Sequence, residues 1–269
     1  MEKRELRGYL FFALALLLQQ DRAWAATYHC VSFEYPPLIS QAPGSAAPSG
    51  FAVELVERMF RQLGASVTVQ LYPWERAMAK VRMGEADCIF TIYRYPDREL
   101  FLDYSEQLVA AQIIYFYARK DAAIAFNGNL DRLQGLRVGV VRQINYGPRF
   151  ERARPKLAID TAADIAMNFR KLAAGRVDLV PSNLATAQAT LALPAMREEA
   201  AAVAQLSPPV DIVPSFIAFS KRRHLATVRD QFDAALKKFK ASPEYRHLLE
   251  KYGLESSLDL EKALQHDND

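Results

Sequence analysis

Apolar residues recur along this chain in two rhythms, short β-branched or aromatic runs and stripes at helical spacing, and their alternation sets the fold class. A first strand spans Tyr28 to Glu34 and is ended by Pro36-Pro37, because proline supplies no ladder donor and restricts the residue before it. After a Pro/Gly/Ser/Ala-rich loop from Gln41 to Gly50, Ala52, Leu55, Val56, Met59, Phe60 and Leu63 mark one face of a helix closed by Gly64. Val67 to Tyr72 reads as the next strand. Trp74, Ala77, Met78 and Val81 then recur at i, i+3, i+4 and i+7, and Gly84 stops that helix. Asp87 to Ile92 is short and apolar, as a strand buried on both faces is. The order β-α-β-α-β predicts a parallel sheet with helices on its faces.

A long apolar strand, Gln112 to Ala118, precedes a second series of the same kind. It comprises a strand at Arg137 to Val141, a helix from about Tyr146, a strand at Lys156 to Asp160 and a helix carrying Ile165, Phe169 and Leu172. A strand at Val177 to Pro181 and a helix from Asn183 complete it. Gly84-Glu85-Ala86-Asp87 and Gly175-Arg176-Val177-Asp178 occupy matching places, each between a helix and a strand, so two similar lobes are expected. A second long apolar run, Ile212 to Phe219, implies that the chain leaves the first lobe near Ala118 and returns near Ser215. Helices bearing Phe232, Leu236 and Phe239 and spanning Glu244 to Lys251 follow, and the acidic tail after Leu260 is expected to fray.

The amino terminus changes the compartment. Lys3, Arg4 and Arg7 precede the uncharged run Tyr9 to Leu18, and Ala23-Trp24-Ala25 offers small residues where a signal peptidase reads, so residues 1–25 are expected to be a cleaved export signal. Basic and acidic residues number 34 and 31, a near-neutral balance that argues against nucleic acid and against a polybasic membrane clamp. Cys30 lies five residues before Tyr35 and Cys88 five before Tyr93, so the thiols sit at similar heights if their strands are neighbours. An exported compartment permits a disulfide, strand-to-strand geometry often refuses one, and two buried thiols remain the other reading.

His29, His224, His247 and His266 have no metal-ligand spacing, and the chain lacks a Gly-x-Ser-x-Gly elbow, a Walker loop and a dinucleotide turn. No metal, cofactor or catalytic residue is expected. Recognition is the remaining chemistry. The turn Tyr93-Arg94-Tyr95-Pro96-Asp97-Arg98 follows the carboxyl end of a parallel strand, where open α/β sheets place their ligands. The planar fork of Arg98 suits a carboxylate, the alternative being a solvated arginine paired with Asp97 or Asp103. Tyr35 and Trp74 end two elements that converge on the same crevice, where they would sandwich a ligand or serve as core aromatics.

Several motifs in register then carry a resemblance: Tyr35-Pro36-Pro37-Leu38, Gly50-Phe51 opening a helix, Gly84-Glu85-Ala86-Asp87, and Arg98 with Asp103 and Ser105. Leu133-x-Gly135-x-x-Val138-Gly139-Val140 and Gly175-Arg176-Val177-Asp178 extend it, so the chain resembles the extracellular solute-binding proteins of family 3, periplasmic receptors of polar amino-acid ABC importers. The resemblance implies a type II periplasmic-binding-protein fold, α/β, with two parallel-sheet lobes joined by two crossover strands. It implies lobe one at residues 26–118 and 216–269 and lobe two at 119–215. It further implies that Arg98 binds the ligand carboxylate, that Tyr35 and Trp74 flank the ligand, and that Thr91 and Tyr93 touch it.

Two positions depart from the family pattern. Gln143-Ile144-Asn145 stands where the family has Gly-Thr-Thr, and Asn183 replaces the acid that takes the α-ammonium. Losing that carboxylate removes a partner worth about 1.5–3 kcal/mol. A carboxylate without a free ammonium, or an amino acid held through the oxygens of Asn183 and Asn145, is therefore expected, with Arg142 and Arg94 available for a second acidic group. The implied protein is a monomeric periplasmic receptor that presents its ligand to the membrane permease of an ABC importer. Rival readings are a dehydratase-like enzyme using Glu34 or Glu75, and a sensor or accessory protein with a degenerate cleft.

Overall fold

A computed structural model describes residues 26–107, 109–142 and 144–255; the leader at 1–25, Gln143 and the tail after Leu260 lie outside the described residues. The first series folds in the order its pattern predicts: β1 (Thr27–Ser32), α1 (Phe51–Gln62), β2 (Ser66–Leu71), α2 (Trp74–Met83) and β3 (Cys88–Ile92). β1 lies between β2 and β3 and is parallel to both. All five residues of β3 are buried, which its continuous apolar run requires. β2 alternates between exposed and half-buried positions because it lies at the sheet edge. Cys30 and Cys88 are register partners across β1 and β3, and they are joined as a disulfide.

Gly50 shows why the loop before α1 needs glycine. Its φ is 121°, and a β-carbon there would collide with the Leu38 carbonyl oxygen. That close approach lets the Ala52 N–H donate to Leu38 at 3.0 Å, tying the Tyr-Pro-Pro-Leu segment to the start of the helix.

The chain continues through α3 (Pro96–Glu99), β4 (Leu102–Tyr104), β5 (Ala110–Arg119), β6 (Arg137–Val141), α4 (Pro148–Ala153), β7 (Ala158–Ala162) and α5 (Ile165–Ala173). β8 (Val180–Asn183), α6 (Leu184–Leu191), α7 (Arg197–Ala202), β9 (Val203–Gln205), β10 (Asp211–Ser220), α8 (Ala226–Lys240) and α9 (Pro243–Lys251) complete it. The long strands join the halves. Asp211–Ser215 of β10 pair with β5, whereas from Phe216 onward β10 pairs with β3 and β4. β5 goes on to pair with β8 and β9. In the second half β6 and β7 are parallel, and Leu179 adds a parallel bridge to Val138.

Apolar cores lie on both sides of this junction. One gathers α1, β1, β3, α8 and α9 around Phe51, Phe60, Phe90 and Phe232, and another gathers β5, β6 and α4 around Phe116, Val138 and Phe150. Some elements depart from the expected bounds. β7 starts at Ala158 because Arg154–Lys156, with Pro155 inside, forms a 3-10 turn. β8 runs through Pro181 to Asn183, which an edge position beside β5 tolerates. α3, β4, α7 and β9 were not expected, since spans of four, three, six and three residues are too short to show a period. No helix among the described residues is long and apolar enough to cross a membrane.

Candidate functional site

The carboxyl end of β3 carries the first sign of a site. Thr91 has a φ of 61°, in the left-handed region where its branched β-carbon crowds the backbone, at a cost of about 1–3 kcal/mol. It is 3% exposed, and its hydroxyl has no hydrogen-bond partner. Strain and an orphaned polar atom coincide on the wall of a cavity of about 90 Å³ between the two halves, several times the room one water needs.

The first half walls this cavity with Phe33, Tyr35, Trp74, Ile92 and Tyr93 beside Thr91. Phe33 meets Trp74 edge-on at 5.1 Å between ring centroids and lies 5.8 Å from Tyr35. Arg98 completes the wall from the short helix α3. Its guanidinium lies 4.8 Å from the Trp74 ring centroid and 4.9 Å from that of Tyr95, so it is held between two aromatic faces. Nη1 donates to the Tyr93 carbonyl at 2.9 Å, and no carboxylate among the described residues lies within ion-pairing distance of it. The alternative pairing with Asp97 or Asp103 is not formed; Asp103 faces Lys221 instead, at 3.9 Å. A half-buried fork with donors to spare and no counter-charge is built to receive an anion.

The cavity's tyrosines stay neutral. Burial pushes the hydroxyls of Tyr35 and Tyr93 well above their ordinary value, helped at Tyr35 by Tyr146 and at Tyr93 by Tyr35. Burial likewise raises Tyr104 to about 12, while nearby Arg98 works against it; its hydroxyl donates to the Tyr93 carbonyl at 2.9 Å.

Gln112, on the crossover strand β5, and Ile144 and Asn145 of the second half complete the lining. Asn145 Oδ1 accepts from the Gly147 N–H at 2.9 Å and from the Tyr95 hydroxyl at 3.0 Å, the latter crossing between the halves. A second crossing bond runs from the Thr186 hydroxyl to the Pro36 carbonyl at 2.9 Å. Asn183 does not line the cavity. Its Oδ1 caps α6 by accepting from Ala185 and Thr186, and its Nδ2 donates to Gln112 Oε1 at 2.7 Å. Gln112, fully buried, is thereby oriented with Nε2 toward Ser215 at 3.5 Å.

Six of the seven expected residues, Tyr35, Trp74, Thr91, Tyr93, Arg98 and Asn145, thus meet at one cavity. Asn183 stands behind Gln112 as a helix cap, and neither its oxygen nor that of Asn145 is left to take an ammonium. Arg94 pairs with Glu99, and Arg142 is exposed, so neither faces the cavity. Glu34 and Glu75 are exposed and line no wall of it. Phe33, Ile92, Gln112, Ile144 and Tyr95 were missed. Gln112 had a signal, being the one polar side chain in the run Gln112 to Ala118 apart from two tyrosine hydroxyls, and Tyr95 shares its turn with Arg98.

The profile of the bacterial extracellular solute-binding proteins, family 3, matches residues 29–255. The chain belongs to that family. A search of curated proteins finds no matching sequence. Solved structures share the fold throughout. An arginine third transport system periplasmic binding protein from Legionella pneumophila superposes with a TM-score of 0.68 at 15% identity, covering 85% of this chain and 100% of that one. The substrate-binding protein of an amino acid ABC transporter gives 0.66 at 17%, covering 84% and 99%. A histidine kinase sensor domain similar to periplasmic binding proteins gives 0.69 at 19%, covering 86% and 97%. The family member described here therefore has the type II periplasmic-binding-protein fold, a scaffold of binding proteins.

Proposed function

We propose that this family member is the periplasmic receptor of an ABC importer, closing two lobes on an amino acid or related small carboxylate and presenting the closed form to a permease. Arg98 carries the reading: its guanidinium is clamped between Trp74 and Tyr95, keeps unused donors at the cavity and has no carboxylate of its own. Thr91 supports it, because an unpaired buried hydroxyl on a strained backbone persists where a ligand supplies the missing partner.

Lobe one would comprise residues 26–118 and 216–269, and lobe two residues 119–215, after removal of a leader near Ala25. The partner change of β10 at Phe216 supports the return point. β5 gives Ala110 to the first core and Ile114, Phe116 and Ala118 to the second, which favours a handover within residues 110–114. Ligand drives closure only by binding the closed arrangement better than the open one, so Asn145 must contribute from across the cleft, with Gln112 on the crossover strand between the lobes.

A thermal-shift screen over amino acids and organic acids tests this. A ligand at a hundred times its Kd stabilises the fold by about 2.7 kcal/mol. Arg98→Ala should abolish the shift of the best ligand, and an undiminished shift would refute the site. One observation favours a second reading, a sensor: the halves are already bridged by Tyr95–Asn145 and Thr186–Pro36 bonds that involve no ligand. Absence of any stabilising small molecule, together with capture of a defined membrane signalling partner, would favour it. For the enzyme reading, no carboxylate of the described residues lines the cavity to act as general acid or base.

A further inference from the structure

From the polar groups facing the cavity we infer that it takes a carboxylate without an amino group, carrying instead an acceptor oxygen beside the carboxylate, as an α-oxo or α-hydroxy acid does. This rests on the reading of Arg98 as the carboxylate clamp and concerns what lies next to that carboxylate. An ammonium needs acceptors, and preferably a negative charge. No carboxylate of the described residues lines the cavity.

The amide orientations are fixed by their neighbours. The Gly147 backbone N–H can only donate, so the atom of Asn145 it meets at 2.9 Å is the oxygen, and the Tyr95 hydroxyl takes up that oxygen's other lone pair at 3.0 Å. Asn145 therefore offers the cavity its Nδ2. The Ala185 and Thr186 N–H groups fix the Asn183 oxygen, Asn183 Nδ2 then fixes the Gln112 oxygen at 2.7 Å, and Gln112 is left with Nε2 donors. Its contact from Nε2 to Ser215 Oγ, at 3.5 Å, is long and occupies at most one of them.

Asp211, a buried acid close enough to act on Tyr93 and Tyr95, has both oxygens engaged by the backbone N–H groups of Arg149 and Ile212. It raises the neighbouring tyrosines without reaching the cavity wall. Among the lining side chains the acceptors left are neutral hydroxyls, and burial keeps the Tyr35 and Tyr93 hydroxyls protonated. A cavity that presents the amide donors of Asn145 and Gln112 matches an oxygen acceptor and leaves an ammonium without a counter-charge. Its aromatic walls, Phe33, Tyr35, Trp74 and Tyr93, suit an apolar body on the ligand.

The test is a matched series measured by calorimetry on the mature chain: phenylalanine, hydrocinnamate and phenylpyruvate, then leucine, isocaproate and ketoisocaproate. The expected order in each series is oxo acid tightest, the unsubstituted acid weaker, and the amino acid at least tenfold weaker than the oxo acid. An amino acid that equals or exceeds its oxo acid, and loses binding in Arg98→Ala, overturns the inference while leaving the carboxylate clamp intact. An unsubstituted acid equal to its oxo acid overturns the assignment of the amides as donors. If no member of either series binds in an Arg98-dependent way, the clamp and the inference fall together.

Discussion

The two halves of this molecule meet one cavity with different resources. The first half spends stability to hold unused chemistry there: a left-handed threonine, an orphaned hydroxyl and a guanidinium stacked between rings without a counter-ion. The second half spends its polar side chains on itself, with Asn183 capping a helix and Asn145 closing a turn at Gly147. Recognition is therefore concentrated on the first half, and the second completes the enclosure with the Asn145 amide.

The sharpest way to break this contrast is to remove the clamp. Arg98→Ala is expected to weaken binding of the best ligand by about a hundredfold or more, as loss of charge-assisted bonds to a buried anion implies. Arg98→Lys should recover little, since it lacks the planar fork that stacks and binds bidentately. Calorimetric Kd values check both. Asn183→Ala should act on stability instead. Losing the α6 cap and the Gln112 contact costs about 1–3 kcal/mol in chemical denaturation, with Kd changed less than about fivefold. A collapse of affinity without that destabilisation would make the second half an equal partner in recognition.

Thr91→Val should raise stability by about 1 kcal/mol by removing an unsatisfied hydroxyl and weaken ligand about fivefold, a trade-off a purely structural threonine would not show. Tyr95→Phe keeps the ring over Arg98 but deletes the bond to Asn145; a loss of about threefold in affinity is expected, read by calorimetry. The smallest effect lies far from the cleft. At Glu54 burial opposes ionisation, but hydrogen bonds from Lys251, Arg58 and Tyr252 outweigh it and lower the carboxyl to about 2. A lowered folded-state pKa contributes stability above the unfolded value near 4.5, lost as pH falls through about 2. After solvent screening this amounts to less than about 1 kcal/mol, and melting temperatures of Glu54→Gln and the parent should converge in acid.

Much of this was legible in the sequence. The helical stripe from Trp74 and the buried run of β3 follow from spacing alone, because the helix buries one apolar face and the strand buries both of its faces. Arg98, Trp74 and Tyr35 were reachable because strand ends and turns are where side chains escape the core. The roles of Asn183 and Asn145 were not, since an asparagine reads alike whether it caps a helix, closes a turn or meets a ligand. Only the direction of neighbouring N–H groups decides, and that is set by tertiary packing. Thr91 could be nominated by position, but its backbone strain has no signature in composition. The Cys30–Cys88 bridge stayed open until the register of β1 against β3 put the two residues opposite each other.

A crystal structure of the complex with the tightest ligand from the matched series tests the central claim most directly. It should show a carboxylate within hydrogen-bond distance of the Arg98 guanidinium, between Trp74 and Tyr95, with the Thr91 hydroxyl newly paired. A ligand bound elsewhere, or bound in the cavity with the guanidinium still unengaged, would contradict it.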